Sequence, residues 1–276
     1  MSPEPTVQEA DPAKVARLHA IVDSLRSVAV AFSGGIDSTL VLKVCRDRLG
    51  ERAVGAIGVS ASLPPGELDE ARALARTIGA PLIEIATAEL DDPHYAANPE
   101  NRCYFCKTEL YRHVLPYARA HAIEHVADGM NADDVGDWRP GGRAADEAGV
   151  RHPLLEAGFR KADVRQLARE LGLPNWDKPA LACLSSRVPY GTPIELPMLD
   201  RIGRAELALR RLGFASVRVR WHGDAARIEV PIEDLPRLFA ARDAAIRAVK
   251  DAGFLFVSLD LEGYRSGSLN AARRKD

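Results

Sequence analysis

The sequence predicts an α/β protein, in which a doubly wound parallel sheet is followed by a smaller C-terminal α+β domain. Short apolar runs of the kind found in buried parallel strands alternate with stretches whose apolar residues recur at helical spacing. The predicted strands are 28–32, 53–59, 81–85 and 125–129, and the predicted helices are 38–49, 66–78, 103–120 and 161–171. This alternation is typical of a parallel sheet that carries helices on both faces.

A proline-rich stretch, residues 172–197, interrupts the alternation. The predicted elements after it are a helix near 197–212, strands at 217–221 and 226–230, a helix over 233–252 and a strand at 254–261. We therefore predict two domains. Residues 1–180 form the α/β domain, and residues 181–276 form a seam loop and a small α+β domain that serves substrate binding or oligomerisation.

Length, composition and charge narrow the class of protein. The chain has 276 residues, of which 46% are hydrophobic, and its formal net charge is −2. Its N-terminal twelve residues contain no apolar stretch, and no run approaches the roughly 18 apolar residues of a membrane span. We expect a cytoplasmic protein with no membrane partner. The near-neutral charge does not favour a nucleic-acid partner.

The most informative motif is the turn between the first predicted strand and the helix after it. It reads Ser33, Gly34, Gly35, Ile36, Asp37, Ser38. Two glycines allow backbone N–H groups to converge beside a helix N-terminus, which attracts anions. No lysine follows the glycines, so the Walker pattern is absent. The alternative is a structural turn in which Ser38 only caps the helix.

Two further loops follow predicted strands and should lie at the same edge of the sheet. Ser60 follows the strand 53–59, and Gly129 ends the strand 125–129. Ligands of open α/β sheets bind beyond the carboxyl ends of the strands. We expect Ser60 and Gly129 to contact adenosine if the anion at the first turn is a nucleotide phosphate.

The four cysteines do not suggest a disulfide framework in a cytoplasmic chain. Cys45 lies in an apolar helical stretch, and we assign it no role. Cys103 and Cys106 form C-x-x-C, and Cys183 lies in the seam loop. Three thiolates can hold zinc, a [4Fe–4S] cluster with one open iron, or a redox pair with a separate nucleophile. Spacing leaves these open, together with an incidental C-x-x-C.

The motif Ser-Gly-Gly-x-Asp-Ser after an apolar strand resembles the pyrophosphate loop (PP-loop) of the ATP pyrophosphatase superfamily. The resemblance implies a PP-loop type of domain that binds ATP and Mg²⁺. Its members transfer AMP to a substrate oxygen, release pyrophosphate and let a nucleophile displace the AMP. Ser33, Gly34, Gly35, Asp37 and Ser38 should then bind the phosphates or their Mg²⁺.

Longer segments resemble one family within that superfamily. NRCYFCKTELY, the stretch from DGMNADD to SSRVPYG, and LDLEGYRSGSLN are similar to LarE, the sulfur transferases of nickel-pincer nucleotide biosynthesis. The resemblance implies adenylation of a carboxylate of pyridinium-3,5-biscarboxylic acid mononucleotide and its conversion to a thiocarboxylate. It also favours a homo-oligomer, with a hexamer as the assembly it suggests.

The resemblance implies that sulfur reaches the substrate through Cys183. One version of the family sacrifices the sulfur of a lone cysteine, and the other holds a [4Fe–4S] cluster on three cysteines. Cys103, Cys106 and Cys183 indicate the second version.

Four arginines are candidates to bind the phosphate and carboxylate of the substrate, because guanidinium groups suit both. They are Arg187, Arg218, Arg220 and Arg265. For each of them a surface arginine is the alternative.

Three other functions remain open. A tRNA thiolase of the same superfamily can also pair a PP-loop with three cluster cysteines. An ATP-dependent amidase or ammonia-using synthetase would use the cysteines only for structural zinc. A non-catalytic nucleotide-binding module would bind ATP without releasing pyrophosphate.

Overall fold

The computed structural model describes residues 10–135, 140–179 and 182–265. Parts of two family-like segments, residues 136–139 and 266–270, lie outside the described residues. The chain forms two compact units. The first contains residues 1–59, 66–88 and 103–181, and the second contains residues 60–65, 89–102 and 182–276. The sequence predicted one boundary, at 180/181, whereas two earlier segments also belong to the second unit.

The elements up to residue 170 alternate in chain order. They are α1 (Pro12–Leu25), β1 (Val28–Ala31), α2 (Ile36–Leu49), β2 (Ala53–Val59), α3 (Glu67–Ile78), β3 (Leu82–Ala86), α4 (Pro93–Ala96), α5 (Arg102–Ala120), β4 (His125–Ala127), α6 (Pro140–Glu147), α7 (Pro153–Glu156) and α8 (Lys161–Glu170). Of these, α4 lies in the second unit.

The four strands of the first unit form a parallel sheet in the order β3-β2-β1-β4. In the register of the sheet, Val30 of β1 is the partner of Gly55 in β2 and of Ala127 in β4. Every residue of β1 is buried, as expected for a central strand covered on both faces. The predicted α/β fold with a doubly wound sheet of PP-loop type is confirmed. The carboxyl ends of β1, β2 and β4 lie at one edge.

Two apolar clusters bury the faces of this sheet. The larger one packs β1 and β2 against α1, α2, α3 and α8. Leu40, Leu42 and Phe159 are fully buried in it. The other packs the sheet against α5, through Tyr111 and Val114. Periodicity did not predict α6 and α7, because both are short, at 8 and 4 residues, and α6 begins Pro-Gly-Gly.

The described part of the second unit contains a small mixed sheet and three α-helices beyond α4. Its further elements are α9 (Leu196–Arg211), β5 (Arg218–His222), β6 (Ala225–Glu229), α10 (Leu235–Ala240), α11 (Arg242–Asp251) and β7 (Phe256–Leu259). The strand order is β5-β6-β7, antiparallel between β5 and β6 and parallel between β6 and β7. The predicted helix over 233–252 is two helices that meet at Ala241. No helix among the described residues is long and apolar enough to span a bilayer.

Candidate functional site

The predicted phosphate loop connects β1 to α2. Gly34 has a φ of +72°, a backbone conformation that glycine adopts readily and other residues rarely do. Ser38 Oγ accepts from the N–H of Ser33 at 3.2 Å and donates to the carbonyl of Gly35 at 3.1 Å. The loop is therefore closed by its own side chains at the N-terminus of α2, where a 14-residue helix favours an anion.

A residue of the proline-rich stretch buttresses this loop within the first unit. Asn175 is buried, and its Nδ2 donates to the carbonyl of Gly34 at 3.1 Å and to Oγ1 of Thr39 at 3.0 Å. Both acceptors belong to the loop or to the first turn of α2. Sequence reasoning did not single out Asn175, because nothing local links it to a turn 141 residues away.

Asp37 stands at the centre of a small polar group. Its Oδ2 lies 2.5 Å from Nζ of Lys161, and its Oδ1 accepts a hydrogen bond from Nδ2 of Asn131 at 3.2 Å. Lys161 begins α8, and Asn131 belongs to the loop after β4. The carboxylate predicted to hold Mg²⁺ is thus within reach of a lysine that sequence analysis did not select.

Gly129 lies directly against the phosphate loop. A Cβ atom at this position would be 2.6 Å from the backbone nitrogen of Ser38 and 3.0 Å from Cβ of Asp37. Such a contact cannot be relieved by moving a side-chain tip, so the chain needs glycine here. This close approach places Gly129 at the predicted edge, and its contact with adenosine stays a prediction.

The residue before Gly129 anchors a buried polar network. Asp128 Oδ1 accepts from Nδ1 of His152 at 2.7 Å and from the N–H of Met130 at 3.0 Å, and Oδ2 accepts from the hydroxyl of Tyr111 at 3.2 Å. Burial alone would raise the pKa of Asp128, but the hydrogen bond from His152 and the charge of Lys107 outweigh it and lower the pKa. This network ties β4 to α5 beside the phosphate loop.

The pKa of His152 is shifted in the opposite direction to that of Asp128. Burial alone would lower its pKa, but Asp128 and, at 3.2 Å, Asp146 accept hydrogen bonds from the ring and raise the pKa. The sequence held no signal for this pair, because Asp128 and His152 are 24 residues apart.

Cys103 and Cys106 lie in the first turn and a half of α5. Cys103 is exposed and Cys106 is partly buried. Tyr111, Asp128 and the two thiols outweigh burial and raise the pKa of Lys107 above its usual range. A Cβ atom on Gly141 would lie 3.2 Å from Cγ of Lys107 and 3.9 Å from Cβ of Cys103, so α6 approaches this face of α5 closely.

Cys45 has the surroundings expected of a structural thiol. It is fully buried in α2, and burial raises its pKa to about 12. This environment keeps the thiol protonated and gives it no reactivity.

Cys183 is the N-cap residue of a short 3-10 helix, Leu184–Arg187, in the second unit, and the residue is partly exposed. The N–H of Leu184 donates to the carbonyl of Ser62 at 2.8 Å, and Ser62 Oγ lies 2.9 Å from the hydroxyl of Tyr95 and 3.2 Å from Oγ of Ser185. Three separate segments of the chain therefore hold the cysteine loop. Ser60, predicted to contact adenosine, donates from Oγ to Glu89 at 2.6 Å in the same unit.

Arg187 is a buried residue, 1% exposed, that holds the backbone around Cys183. Its Nε and Nη2 bind the carboxylate of Glu206 at 2.8 and 3.0 Å. Its Nη1 donates to the carbonyls of Ala182 and Cys183 at 2.8 and 2.9 Å. This geometry favours a positioning role, and the predicted contact of Arg187 with substrate stays untested.

The other predicted arginines differ in environment. Arg218 is buried over the ring of Tyr264, and burial, together with the charge of Arg187, lowers its pKa. Arg220 donates to the carbonyl of Ser186 at 2.8 Å and to Glu229 at 2.7 Å. Arg265 is exposed and paired with Glu262. A bound anion would offset the burial and the neighbouring positive charge that lower the pKa of Arg218.

The predicted metal ligands are divided between the two units. Cys103 and Cys106 lie in the first, and Cys183 lies in the second. Within residues 10–135, 140–179 and 182–265, no three histidine, cysteine or acidic side chains are grouped as a metal ion would require. All four cysteines are present as thiols, and thiolates are the ligands that iron–sulfur clusters use. The donor chemistry fits a cluster, and the three-cysteine set stays a prediction.

Comparison with known proteins adds independent information. No protein-family model matches the chain. An uncharacterized protein of Synechocystis sp. is 48% identical over 95% of this chain and 98% of its own length. An argininosuccinate synthase of Haloquadratum walsbyi is 31% identical, but only over 55% of this chain and 37% of its own.

A further relative is similar along nearly its whole length. The pyridinium-3,5-bisthiocarboxylic acid mononucleotide synthase of Lactiplantibacillus plantarum is 43% identical over 93% of this chain and 94% of its own. This similarity spans both units described above. The chain therefore belongs to the LarE family of pyridinium-3,5-bisthiocarboxylic acid mononucleotide synthases.

Proposed function

We propose that this chain is an ATP-dependent sulfur transferase that converts pyridinium-3,5-biscarboxylic acid mononucleotide to its thiocarboxylate. The observation that carries the proposal is the closed Ser33–Ser38 loop at the N-terminus of α2, in a chain that is 43% identical to a synthase of the bisthiocarboxylic acid. A phosphate-binding loop would account for the use of ATP as the energy source. The name of the relative indicates that the product is a thiocarboxylate.

The first step is adenylation. A carboxylate oxygen of the substrate attacks the α-phosphorus of ATP, the bond to the β-phosphate oxygen breaks, and pyrophosphate leaves. The N–H groups of Gly34 and Gly35 and the hydroxyls of Ser33 and Ser38 are suited to hold the phosphates. Mg²⁺ held by Asp37 would neutralise the charge of the leaving pyrophosphate. Ser60 and Gly129 remain the proposed contacts of adenosine.

The second step is sulfur transfer. Sulfur presented at Cys183 attacks the activated carbonyl carbon, and AMP leaves with the electron pair of the broken carbon–oxygen bond. Cys183 is partly exposed and therefore accessible. The buried ion pair between Arg187 and Glu206 holds the loop that carries it. A [4Fe–4S] cluster on Cys103, Cys106 and Cys183 would supply a deprotonated and replaceable sulfide.

The mononucleotide substrate carries a phosphate and carboxylates, which need cations. In the described part of the second unit, a group of arginines lies close to a group of acidic residues. The arginines are Arg187, Arg210, Arg218, Arg220 and Arg227, and the acidic residues are Glu206, Glu229 and Asp260. The buried position of Arg218 beside the charge of Arg187 supports binding of the substrate phosphate there, with Arg220 and Arg265 as further candidates.

We also propose a homo-oligomer. Strand β7 is at the edge of its sheet in the described part of the chain, and its Phe256 is 66% exposed. Leu255 beside it is 60% exposed. An apolar edge strand is a surface that proteins normally cover, and a second copy of this chain would cover it. A hexamer remains the specific expectation.

The decisive experiment follows both half-reactions in protein purified without oxygen and reconstituted with iron and sulfide. The protein is incubated with ATP, Mg²⁺ and the pyridinium biscarboxylate, and pyrophosphate and thiocarboxylate are counted per chain. Cys183→Ala should abolish thiocarboxylate and keep pyrophosphate release, whereas Cys45→Ala, the control, should keep both. The adenylation proposal is wrong if the wild type releases no substrate-dependent pyrophosphate.

The same assay distinguishes the two sources of sulfur. If the cluster delivers it, product exceeds one equivalent when sulfide is added, and Cys103→Ala and Cys106→Ala also lose transfer. If Cys183 sacrifices its own sulfur, product stops at one equivalent and the chain becomes about 34 Da lighter through loss of H₂S. That second outcome, with Cys103→Ala still active once, would contradict the three-cysteine site.

A further inference from the structure

Lys161 is the residue whose contacts the proposed reaction does not yet use. Its Nζ lies 2.5 Å from Oδ2 of Asp37, across 124 residues of sequence. The two side chains are 33% and 25% exposed, so water reaches the pair. Ion pairs open to water contribute little to stability. Folding therefore gives no strong reason to place a lysine on the acidic residue of the phosphate loop.

The backbone at Lys161 is held independently of that ion pair. Its N–H donates to Oδ2 of Asp133 at 2.8 Å, in the loop after β4. The N–H of Asn131, in the same loop, donates to Asp134 at 3.0 Å, and Asn131 in turn contacts Asp37. The start of α8 is thus anchored to the loop that flanks the phosphate site. The four-carbon stem of the lysine leaves its ammonium group free to reach different partners from this fixed base.

Charge balance in the loop requires a cation. Asp37 places a carboxylate beside the N–H groups that would bind phosphate, and it would repel a polyphosphate unless a positive charge intervenes. Among the other described lysines of the first unit, Lys14 pairs with Asp163, Lys43 with Asp47, and Lys178 with Glu67 and Glu70, while Lys107 lies near Tyr111 and Asp128. Lys161 pairs with Asp37, the acidic residue of the loop.

We propose that Lys161 binds the polyphosphate of ATP, and that Asp37 holds its ammonium group in place until Mg²⁺ takes over the carboxylate. The ammonium group of Lys161 and Mg²⁺ compete for the carboxylate of Asp37. Binding of Mg²⁺ therefore releases the lysine toward the phosphate oxygens. This inference rests on the proposed function, since it assigns a residue to the same ATP site.

The test uses pyrophosphate as the probe, in EDTA, with the full-length protein and calorimetry. Without metal, Asp37 only repels the anion and competes for Lys161. Lys161→Gln should therefore weaken pyrophosphate binding about tenfold or more, since a charge-assisted hydrogen bond is lost. Asp37→Asn should strengthen it, because the lysine is released. The double variant separates the two roles: in the Asp37→Asn background no carboxylate is left to neutralise, so adding Lys161→Gln should still weaken binding if the lysine is a phosphate ligand and should change nothing if it merely neutralises Asp37.

Two further variants control for misfolding and for general charge. Lys161→Arg keeps the cation and should retain most of the binding. Lys178→Gln removes a cation that pairs with Glu67 and Glu70 in the same unit and should leave binding unchanged. The inference is overturned if Lys161→Gln equals the wild type, if Lys178→Gln weakens binding equally, or if the wild type binds no pyrophosphate.

The proposed function is judged separately, by substrate-dependent pyrophosphate release from the wild type with Mg²⁺. If the wild type releases pyrophosphate but Lys161→Gln binds the probe normally, only the role of Lys161 fails. If the wild type binds the probe but does not react, adenylation fails while the binding role stands.

Discussion

At the scale of single residues, two acidic side chains of the first unit follow the carboxyl ends of β1 and β4. Asp37 lies in the first turn of α2 and Asp128 in the loop after β4, and each is partnered by a residue from far along the chain, Lys161 or His152. The hydrogen bond between Asp128 and His152 lowers the pKa of the carboxylate and raises the pKa of the imidazole, so it stabilises the charged form of both partners. Stability should therefore depend on pH in a way that identifies the pair.

We predict that His152 stabilises the protein more at pH 6 than at pH 8.5. Its pKa is raised in the fold, so its contribution is complete below the unfolded value of about 6.5 and declines as pH rises through the folded value. The lowered pKa of Asp128 makes its contribution complete above about 3.9. The pair is therefore strongest between about pH 4 and 6.5.

The measurement is the free energy of unfolding in urea for the wild type and His152→Gln. The variant should be less stable by about 1 kcal/mol or more at pH 6, and by less at pH 8.5. His121→Gln is the control, since His121 bonds a backbone carbonyl and stacks on Tyr117. A destabilisation by His152→Gln that stays constant or grows with pH would contradict the assignment.

At the scale of elements, α9 and the loop of Cys183 are joined by one buried ion pair. Arg187 and Glu206 are each 1% exposed, and Glu206 also accepts from the N–H of Val219 in β5 at 3.0 Å. Removing one partner of a buried pair leaves an uncompensated charge, which is expensive. Glu206 thus links a helix, a strand and the cysteine loop.

We predict that Glu206→Gln destabilises the protein by about 3–5 kcal/mol. Asp200→Asn is a matched control on the same helix, because its pair with Arg204 is exposed and should contribute less than about 1 kcal/mol. Urea unfolding measures both. The rates of alkylation and of sulfur transfer at Cys183 should also differ between Glu206→Gln and the wild type, because the loop that carries Cys183 loses an anchor in the variant. Equal stability of the two variants would show that the pair is not structural.

At the scale of the whole molecule, the exposed edge strand β7 gives the expected assembly a surface. Phe256 in β7 and Leu255 just before it are apolar and accessible. A second copy of the chain could pair its own strand with this edge. We predict that Phe256→Asp shifts the mass in light scattering toward the monomer, while Phe239→Asp on α10, also exposed, tests whether any surface charge has this effect. A wild type that is monomeric at all concentrations would refute the assembly.

The fold was predictable to a large extent from local patterns. Predicted strand 53–59 coincides with β2 (Ala53–Val59), and the other three predicted strands of the sheet are each within one or two residues of those observed. β1 and β2 are the central strands, and the apolar run of the fully buried β1 is continuous and easily recognised, whereas β3 lies at an edge of the sheet and is only partly buried. Helix α1 and the short helices α4, α6 and α7 were missed. The single helix predicted over 233–252 was wrong, because the chain turns at Ala241 within one continuous helical pattern.

By itself, the sequence determined the Ser33–Ser38 turn between a strand and a helix, the C-x-x-C helix and the alternation of strands and helices along the chain, because each depends on residues that are neighbours in the chain. Only the tertiary structure decided that Lys161 reaches Asp37, that Glu206 holds Arg187, and that segments 60–65 and 89–102 join the second unit. These arrangements depend on packing between residues far apart in the sequence. Charge and periodicity identify such residues as polar or helical, but the partner of each side chain exists only once the helices have packed on the sheet.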